Sequence, residues 1–359
     1  MYPDHFAIDF QPQRIVFGNG RRREIAAEMK LAGWSRAVIV TTPPILDFVR
    51  EVEAVLGNLC IAVLDKAVMH VPVDVAAEGV AHVKRLQADC VIAVGGGSSI
   101  GLAKAIALET SLPIIAVPTT LAGSEMTNMY GLTEGQLKRT GSDNRVLPRL
   151  VIYDPELTVS LPPQITGPSG INALAHAVEA LYAERRSPVT DVLAEEAILA
   201  IASSLPVLAS VPSDLAARQR SLVGAMLCGK VLSMAGVSLH HKLCHTLGGT
   251  FNLPHAETHS VILPYATHYN AAAAPAAMER IGRALKTHDP SGAIFDLVKA
   301  VGAPTSLAAL GFREADIDRA ADIACAAPYY NPQPVERMAI VDLLWRAFRG
   351  ERPSMNFPR

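Results

Sequence analysis

Residues 91–108 read VIAVGGGSSIGLAKAIAL, and this stretch decides the fold. An apolar run passes into a helix-forming run through the five residues Gly95, Gly96, Gly97, Ser98 and Ser99. A buried parallel strand ends at the ligand-binding edge of its sheet, and the helix that follows offers unpaired N–H groups and the positive end of its dipole. Glycine lets the backbone approach a pyrophosphate closely. The stretch therefore predicts a phosphate- or dinucleotide-binding loop, and the alternative is a tight strand-to-helix turn.

The same pattern continues on both sides of this loop. Short apolar runs alternate with amphipathic segments as far as residue 153, which predicts a parallel sheet with crossover helices. The predicted strands are 14–17, 37–41, 60–64, 90–94, 114–117 and 150–153, and the predicted helices include 22–32, 46–56 and 73–87. Thr119 and Thr120 follow one of these strands, so we expect them to contact the same ligand. No acidic residue follows Thr41–Thr42, so this position does not distinguish NADH from NADPH by charge.

The second half of the chain has a different character. Residues 157–170, LTVSLPPQITGPSG, are dense in proline, glycine and hydroxyl residues, which is typical of a boundary. From Ser169 onward, Ala- and Leu-rich segments with helical periodicity cover 171–183, 189–208, 215–235 and 237–247. We therefore predict an α/β dinucleotide-binding domain over residues 1–158 and an all-helical domain over residues 159–359.

The composition excludes several classes of protein. Half of the 359 residues are hydrophobic, and 32 basic residues against 34 acidic ones give a net charge of −2, which is not the basic surplus of a nucleic-acid binder. The apolar runs at 36–42 and 89–94 are shorter than the roughly 20 residues that a membrane-spanning helix needs. Residues 1–14 lack an export signal, and the five scattered cysteines include no CxxC pair, which favours a reducing cytoplasm.

The candidate catalytic residues lie in the predicted helical domain. Asn172 and His176 are four residues apart and share one face of a helix, as do His241 and His245, and His255 follows after a short loop. Polar side chains on apolar helices are costly to bury unless they have a function. We therefore expect these five residues to form one site.

Two chemistries remain open for this site. His176, His241 and His255 are suitable ligands for a divalent metal such as zinc or iron, with Asn172 as a neutral and weaker fourth donor. In a metal-free site, the histidines would instead hydrogen-bond an anionic substrate, and His245 is the best candidate proton donor. The cysteine among these histidines is Cys244, and we expect structural roles for His240 and His259, which fall on other helix faces.

These motifs resemble the iron-containing alcohol dehydrogenase superfamily and, within it, the maleylacetate reductases. The resemblance rests on GGGS-x-x-x-x-AK at 95–104, PTT at 118–120, INALAHAVEA at 171–180 and HHKLCHTLGGTFNLPHAETH at 240–259, and it extends over essentially the whole chain. It implies a dinucleotide-binding domain, a helical domain and an active site in the cleft between them. By matching positions, the cofactor residues would be Gly95, Gly96, Gly97, Ser98, Ser99, Thr119 and Thr120. The superfamily's metal ligands would fall on Asn172, His176, His241 and His255, with His245 near the nicotinamide.

The chain departs from the superfamily pattern at several positions, and its segment PTTLAGSE at 118–125 is one residue shorter than in the superfamily. Asn172 and Gly101 each stand where the superfamily carries Asp. Maleylacetate reductases also carry Asn at the position of Asn172. The resemblance therefore implies an enzyme that uses NADH or NADPH to reduce maleylacetate, and substituted maleylacetates, to 3-oxoadipate. We expect this activity not to require a divalent metal. Lys242 is a candidate partner for a substrate carboxylate. The alternatives are a metal-dependent alcohol dehydrogenase and a non-catalytic nucleotide sensor. We expect a cytoplasmic homodimer with a small dicarboxylate substrate and no nucleic-acid or membrane partner.

Overall fold

The computed structural model describes residues 5–69, 71–134 and 137–354. Residues 1–4, which begin the segment where the sequence predicts no export signal, lie outside the described residues. Backbone contacts divide the chain into two compact units, Phe10–Leu161 and the residues from Pro162 onward, and the described residues before Phe10 group with the second unit. The sequence predicts the boundary after residue 158, three residues before the end of the first unit, and it predicts that the residues before Phe10 belong to the first domain.

Asp154 ties the residues that follow the last strand to the first unit. Its carboxylate accepts hydrogen bonds from the N–H groups of Gly20 (3.0 Å) and Arg22 (3.1 Å) and from the Arg22 guanidinium (2.8 Å). It also caps the 3₁₀ turn Pro155–Thr158 by accepting from the Glu156 N–H. The residues just beyond the last strand therefore stay with the first unit.

The first unit is built on a six-stranded parallel sheet. Its strands are β1 Arg14–Phe17, β2 Ala37–Val40, β3 Cys60–Leu64, β4 Cys90–Gly95, β5 Ile114–Pro118 and β8 Leu150–Tyr153, in the order β1-β8-β5-β4-β2-β3. Its helices are α1 Ile25–Leu31, α2 Leu46–Leu56, α3 Val73–Arg85 and α4 Gly97–Thr110. β4 and β5 are buried along their whole length, as expected for strands covered on both faces. The predicted α/β fold is confirmed.

An antiparallel hairpin in the first unit is absent from the sequence prediction. It consists of β6 Met129–Glu134 and β7 Leu137–Ser142. The residues of β6 are only partly buried, so this strand lacks the continuous apolar run that marks the central strands. The hairpin therefore gives a weak signal in the sequence.

The second unit contains nine helices within the part of the chain that the structure describes. They are α5 Pro163–Ala180, α6 Pro188–Ser210, α7 Leu215–Ala235, α8 Leu239–Phe251, α9 His255–Asn270, α10 Pro275–Leu285, α11 Pro290–Ala300, α12 Ile317–Cys325 and α13 Arg337–Arg349. Helix α5 begins inside the segment whose composition indicates a linker. Proline is favoured in the first turn of a helix, where its missing N–H would have no helical partner. Pro163 therefore begins α5 where the sequence alone indicates a break.

Helix α6 is long and apolar enough to cross a membrane by length and composition, and it is longer than either apolar run considered above. In its most apolar window 44% of the residues are buried inside the protein, and α6 packs against α5 and α7. Core helices of globular enzymes have the same length and composition. The length and composition of α6 are therefore weak evidence for a membrane span.

Candidate active site

The glycine-rich loop has the shape that the sequence predicts. β4 ends at Gly95 and α4 begins at Gly97, so the loop joins a buried strand directly to a helix N-terminus. Gly95 has a φ of +140°, and a Cβ there would collide with the Ser99 hydroxyl. A Cβ at Gly96 would lie 2.8 Å from Thr120 Cγ2, whereas one at Gly97 would meet nothing within 4 Å. The first turn of α4 thus faces open space, which suits a bound phosphate.

A backbone hydrogen bond connects this loop to the loop after β5. The Thr119 N–H donates to the Gly95 carbonyl (3.1 Å), which places Thr119 and Thr120 beside the glycines. The Ser99 hydroxyl is buried and has no hydrogen-bond partner among the described residues. A dinucleotide fits this arrangement, because its phosphate oxygens would supply the acceptors that the loop's donors lack.

Lys104 is a structural residue of this region that sequence reasoning missed, although it closes the glycine motif. Its fully buried ammonium donates to the carbonyls of Ser124 (2.7 Å), Thr127 (2.9 Å) and Met129 (2.8 Å) and to the Thr127 hydroxyl. Burial lowers the pKa of Lys104 to about 7, and the nearby Glu125 carboxylate opposes that shift. The lysine holds the segment after Thr119 and Thr120 against α4, so its part in the motif is to shape the loop.

Gly101 marks a real departure from the superfamily pattern. A Cβ at this position would lie 2.8 Å from Val71 Cγ2. There is no room for the Asp that the superfamily carries here unless Val71 moves.

The second unit brings the predicted catalytic residues together. Asn172 and His176 lie on α5 and His241 on α8, each less than 7% exposed. The His176 and His241 rings stack with their centroids 5.0 Å apart, and the His245 centroid lies 6.1 Å from that of His241. His255 begins α9 and, like His245, is exposed.

His240 and His259 also contact these residues, although the sequence places them on other faces. The His259 centroid lies 4.9 Å from that of His241 and 4.4 Å from that of His255. His259 Nδ1 and His240 Nε2 share a hydrogen bond of 3.0 Å, and Cys244 Sγ lies 3.7 Å from the same His240 nitrogen. We call His176, His240, His241, His245, His255 and His259 the histidine cluster.

Glu179 organises the cluster; the sequence places it on the helix face of Asn172 and His176 but assigns it no role. Its fully buried carboxylate accepts hydrogen bonds from His241 Nδ1 (2.7 Å), the Ser238 N–H (2.8 Å) and the His240 N–H (2.7 Å). The two backbone donors belong to the start of α8, where a negative charge is favourable. With Nδ1–H bound to Glu179, His241 presents a bare Nε2, and that atom is buried without a partner among the described residues. A signal was available in the sequence, because Glu179 lies seven residues after Asn172 on the same helix face.

The buried histidines are held in the neutral form. Burial lowers the pKa of His176, His240 and His259 well below the ordinary value of 6.5, and the neighbouring histidines add to the shift. The interior of the cluster therefore presents neutral imidazoles together with the Asn172 amide.

The superfamily implies a metal ion at Asn172, His176, His241 and His255. In a tetrahedral site the ligand nitrogens lie about 2.0–2.1 Å from the ion and hence close to one another. Among the described residues, the three whose ligand atoms all lie within 4.8 Å of one another are His240, Cys244 and His259, and not the implied histidines. The set lacks an anionic ligand, because an amide stands at Asn172. Asn172 Oδ1, His176 Nδ1 and His241 Nε2 are nevertheless buried without a partner among the described residues, so these side chains could hold a divalent metal, although less tightly than a set with a carboxylate.

Lys242 lies on the edge of the cluster. It follows His241 on α8, is partly buried, and its Nζ lies 5.7 Å from the centroid of the Tyr329 ring. Tyr329 enters the site from the segment before α13, which periodicity alone does not connect with the histidines.

Comparison with known proteins identifies the fold and the family. The model "Iron-containing alcohol dehydrogenase" matches residues 12–155, and "Fe-containing alcohol dehydrogenase family, C-terminal" matches residues 166–348. The chain belongs to the iron-containing alcohol dehydrogenase family. The members of this family are oxidoreductases.

The resemblance to maleylacetate reductases is confirmed over the full length. The chain is 51% identical to a maleylacetate reductase of Burkholderia cepacia over 349 residues, which are 97% of this chain and 99% of that protein. It matches the crystal structure of a maleylacetate reductase from Agrobacterium tumefaciens with a TM-score of 0.95 and 45% identity, covering 98% of this chain and 100% of the other. A more distant match is a sulfoacetaldehyde reductase of Bifidobacterium kashiwanohense in complex with NAD⁺, at 25% identity and a TM-score of 0.89, covering 96% and 99%.

Proposed function

We propose that the protein is a maleylacetate reductase that uses NADH or NADPH to convert maleylacetate, and substituted maleylacetates, to 3-oxoadipate in the breakdown of aromatic compounds. The observation that carries the proposal is the donor set of Asn172, His176 and His241, which has no carboxylate, in a chain 51% identical to a known reductase of this kind. The α4 loop and the histidine cluster each supply binding groups that this reaction needs.

Maleylacetate suits a site of neutral donors. Its carbon–carbon double bond is conjugated to a ketone and is therefore already electrophilic, and the reduced nicotinamide supplies the hydride. Negative charge develops on the ketone oxygen as the enolate forms, and fixed hydrogen-bond donors stabilise such an oxygen. An interconversion of alcohol and aldehyde depends more strongly on a Lewis acid. We therefore infer that activity does not require a divalent metal.

The cofactor would bind at the start of α4. The N–H groups of the first helical turn, which includes Gly97 and Ser98, have no helical partners, and a side chain at Gly97 would meet nothing within 4 Å. Thr119 and Thr120 add hydroxyl groups from the neighbouring loop. Thr41 and Thr42 follow β2 with no acidic side chain, so charge at this position excludes neither NADH nor NADPH.

The histidine cluster would bind the substrate and move the proton. The ring N–H of the neutral His176 and the Asn172 amide would donate hydrogen bonds to the ketone oxygen, beside His241, which Glu179 orients. His245 at the exposed end of the cluster would donate a proton to the enolate carbon. Lys242 would pair with one of the two substrate carboxylates. Asn172 contributes a neutral amide where the superfamily has a carboxylate.

A second candidate is a metal-dependent alcohol dehydrogenase acting on an alcohol and aldehyde pair. It is favoured by the buried atoms Asn172 Oδ1, His176 Nδ1 and His241 Nε2, which have no partner among the described residues. Buried polar atoms of this kind are commonly satisfied by a ligand.

One set of assays separates the two candidates. Protein purified without chelator is assayed for oxidation of NADH and NADPH with maleylacetate and with simple aldehydes, before and after dialysis against a chelator. We expect turnover with maleylacetate and none with simple aldehydes, and the chelator should not change the rate. Turnover with aldehydes that needs stoichiometric iron or zinc would instead establish the second candidate.

We further propose that the enzyme is a cytoplasmic homodimer without nucleic-acid or membrane partners. The net charge of −2 supports the lack of a nucleic-acid partner, and the five free cysteines support a reducing compartment. Light scattering behind a sizing column measures the oligomeric state directly, and a monomeric mass would contradict the proposal.

A further inference from the structure

The segment 329–334, YYNPQP, is fixed to the end of α9. The Asn331 amide donates to Asn270 Oδ1 (2.7 Å) and to the Gln333 carbonyl (2.6 Å), and Asn270 is fully buried. The Tyr269 hydroxyl donates to the Pro334 carbonyl (2.6 Å). These contacts fix the backbone of the segment relative to the end of α9.

Tyr329 carries a hydroxyl for which this fixed segment provides no partner. The hydroxyl oxygen is buried and makes no hydrogen bond among the described residues. Its ring packs against the core formed by α8, α9, α12 and α13. A buried hydroxyl that leaves its hydrogen-bonding capacity unused is costly, and such groups are typically completed by a ligand.

Tyr329 also lies close to α8, the helix that carries His241. The Lys242 ammonium of that helix lies 5.7 Å from the centroid of the Tyr329 ring, and the ring packs against the core that includes Cys244. Burial raises the pKa of the Tyr329 phenol, and the carboxylate of Glu179 contributes to the shift. A neutral hydroxyl and a cation are therefore adjacent beside the helix that carries His241.

We propose that Tyr329 and Lys242 together bind one carboxylate of the dicarboxylate substrate, the phenol by donating a hydrogen bond and the ammonium by charge. This inference rests on the proposed function and names the site of substrate recognition. A carboxylate is the group that fits, because it accepts both from a hydroxyl and from a cation, and the neutral histidines offer no positive charge for it.

The neighbouring tyrosine provides a matched control. Tyr330 is 43% exposed and contributes no buried hydroxyl to the cluster, so Y330F makes the same chemical change outside the site. Steady-state kinetics would compare Y329F, Y330F and K242M with the native enzyme. We expect Y329F and K242M each to raise KM for maleylacetate by ~10- to 100-fold, the effect of losing one charge-assisted hydrogen bond. KM for NADH and the parameters of Y330F should stay unchanged. In the double variant Y329F/K242M the combined effect should be less than the product, because both groups hold one carboxylate.

An unchanged KM for maleylacetate in Y329F, or equal changes in Y329F and Y330F, would overturn the inference. Calorimetric binding of 3-oxoadipate keeps the test independent of turnover, since affinity should fall in Y329F and K242M and not in Y330F. If the native protein fails to reduce maleylacetate but shows this pattern of dicarboxylate binding, the proposed function is wrong and the site stands. If Y329F does not fold, the KM of K242M for maleylacetate tests the inference, because Lys242 is only partly buried.

Discussion

Replacing Glu179 with glutamine should uncouple the histidine cluster from the start of α8. The native carboxylate accepts three hydrogen bonds, two at Oε2 from His241 and Ser238 and one at Oε1 from His240. A glutamine has one accepting oxygen and one donating amide group. In its better orientation the oxygen keeps the two bonds at Oε2, and the amide group then faces the His240 N–H, donor against donor.

The size of the effect follows from this geometry. The buried His240 N–H loses its acceptor, which costs about 1–3 kcal/mol, and the two remaining bonds lose the assistance of a full charge, about 0.5–1 kcal/mol each. We therefore expect E179Q to lower the free energy of unfolding by roughly 2–5 kcal/mol, within the roughly 5–15 kcal/mol stability of a typical protein. Because His241 is no longer held in one tautomer, kcat should fall by about 10- to 100-fold.

Urea unfolding and steady-state kinetics measure both effects. The matched control is E196Q, the same substitution at an exposed position of α6, which should leave both quantities unchanged. Our reading of Glu179 fails if E179Q retains native kcat, or if E196Q destabilises the protein equally.

Three further outcomes are expected. Burial lowers the pKa of His176, His240 and His259, so below pH 6.5 the unfolded chain binds more protons than the native protein. The free energy of unfolding should therefore decrease as the pH is lowered, by up to ~4 kcal/mol per pH unit for three histidines. Urea midpoints between pH 7.5 and 5.5 test this, and a flat profile contradicts it. K104M leaves the carbonyls of the loop after β5 without their donor. We expect it to lower the free energy of unfolding by roughly 3–5 kcal/mol and to raise KM for NADH, and an unchanged KM and melting temperature would refute this. G95A places a Cβ at a φ of +140°, so NADH affinity by fluorescence titration should fall while binding of 3-oxoadipate does not; equal losses of both would contradict the local effect.

Much of the fold follows from local sequence pattern. The strands 14–17, 60–64 and 150–153 and the helices 46–56 and 215–235 have the predicted bounds, because their ends coincide with changes in apolar periodicity. The hairpin and the start of α5 were missed for a physical reason. A partly exposed strand carries little hydrophobic signal, and proline and glycine read as a linker even where a helix begins.

The site was predictable to the extent that helix spacing defines it. Asn172 with His176, and His241 with His245, share faces at intervals of four residues, and the structure brings these faces together. Glu179 acts on α8 across a tertiary contact, and Tyr329 lies far along the chain from the histidines that it approaches. Helical periodicity in the sequence does not predict such contacts, because they depend on how separate helices pack.

The position of Glu179 has a consequence for how the family changes its chemistry. The chain has an amide in place of the superfamily's carboxylate at Asn172, yet it keeps a buried anion two helical turns further along the same face of α5. The scaffold that orients His241 is thus independent of the residue that opposes a cation. An ancestor could exchange Asp for Asn at one position, and give up tight metal binding, without dismantling the architecture around it. The residue at position 172 can therefore change without loss of the contacts that orient His241.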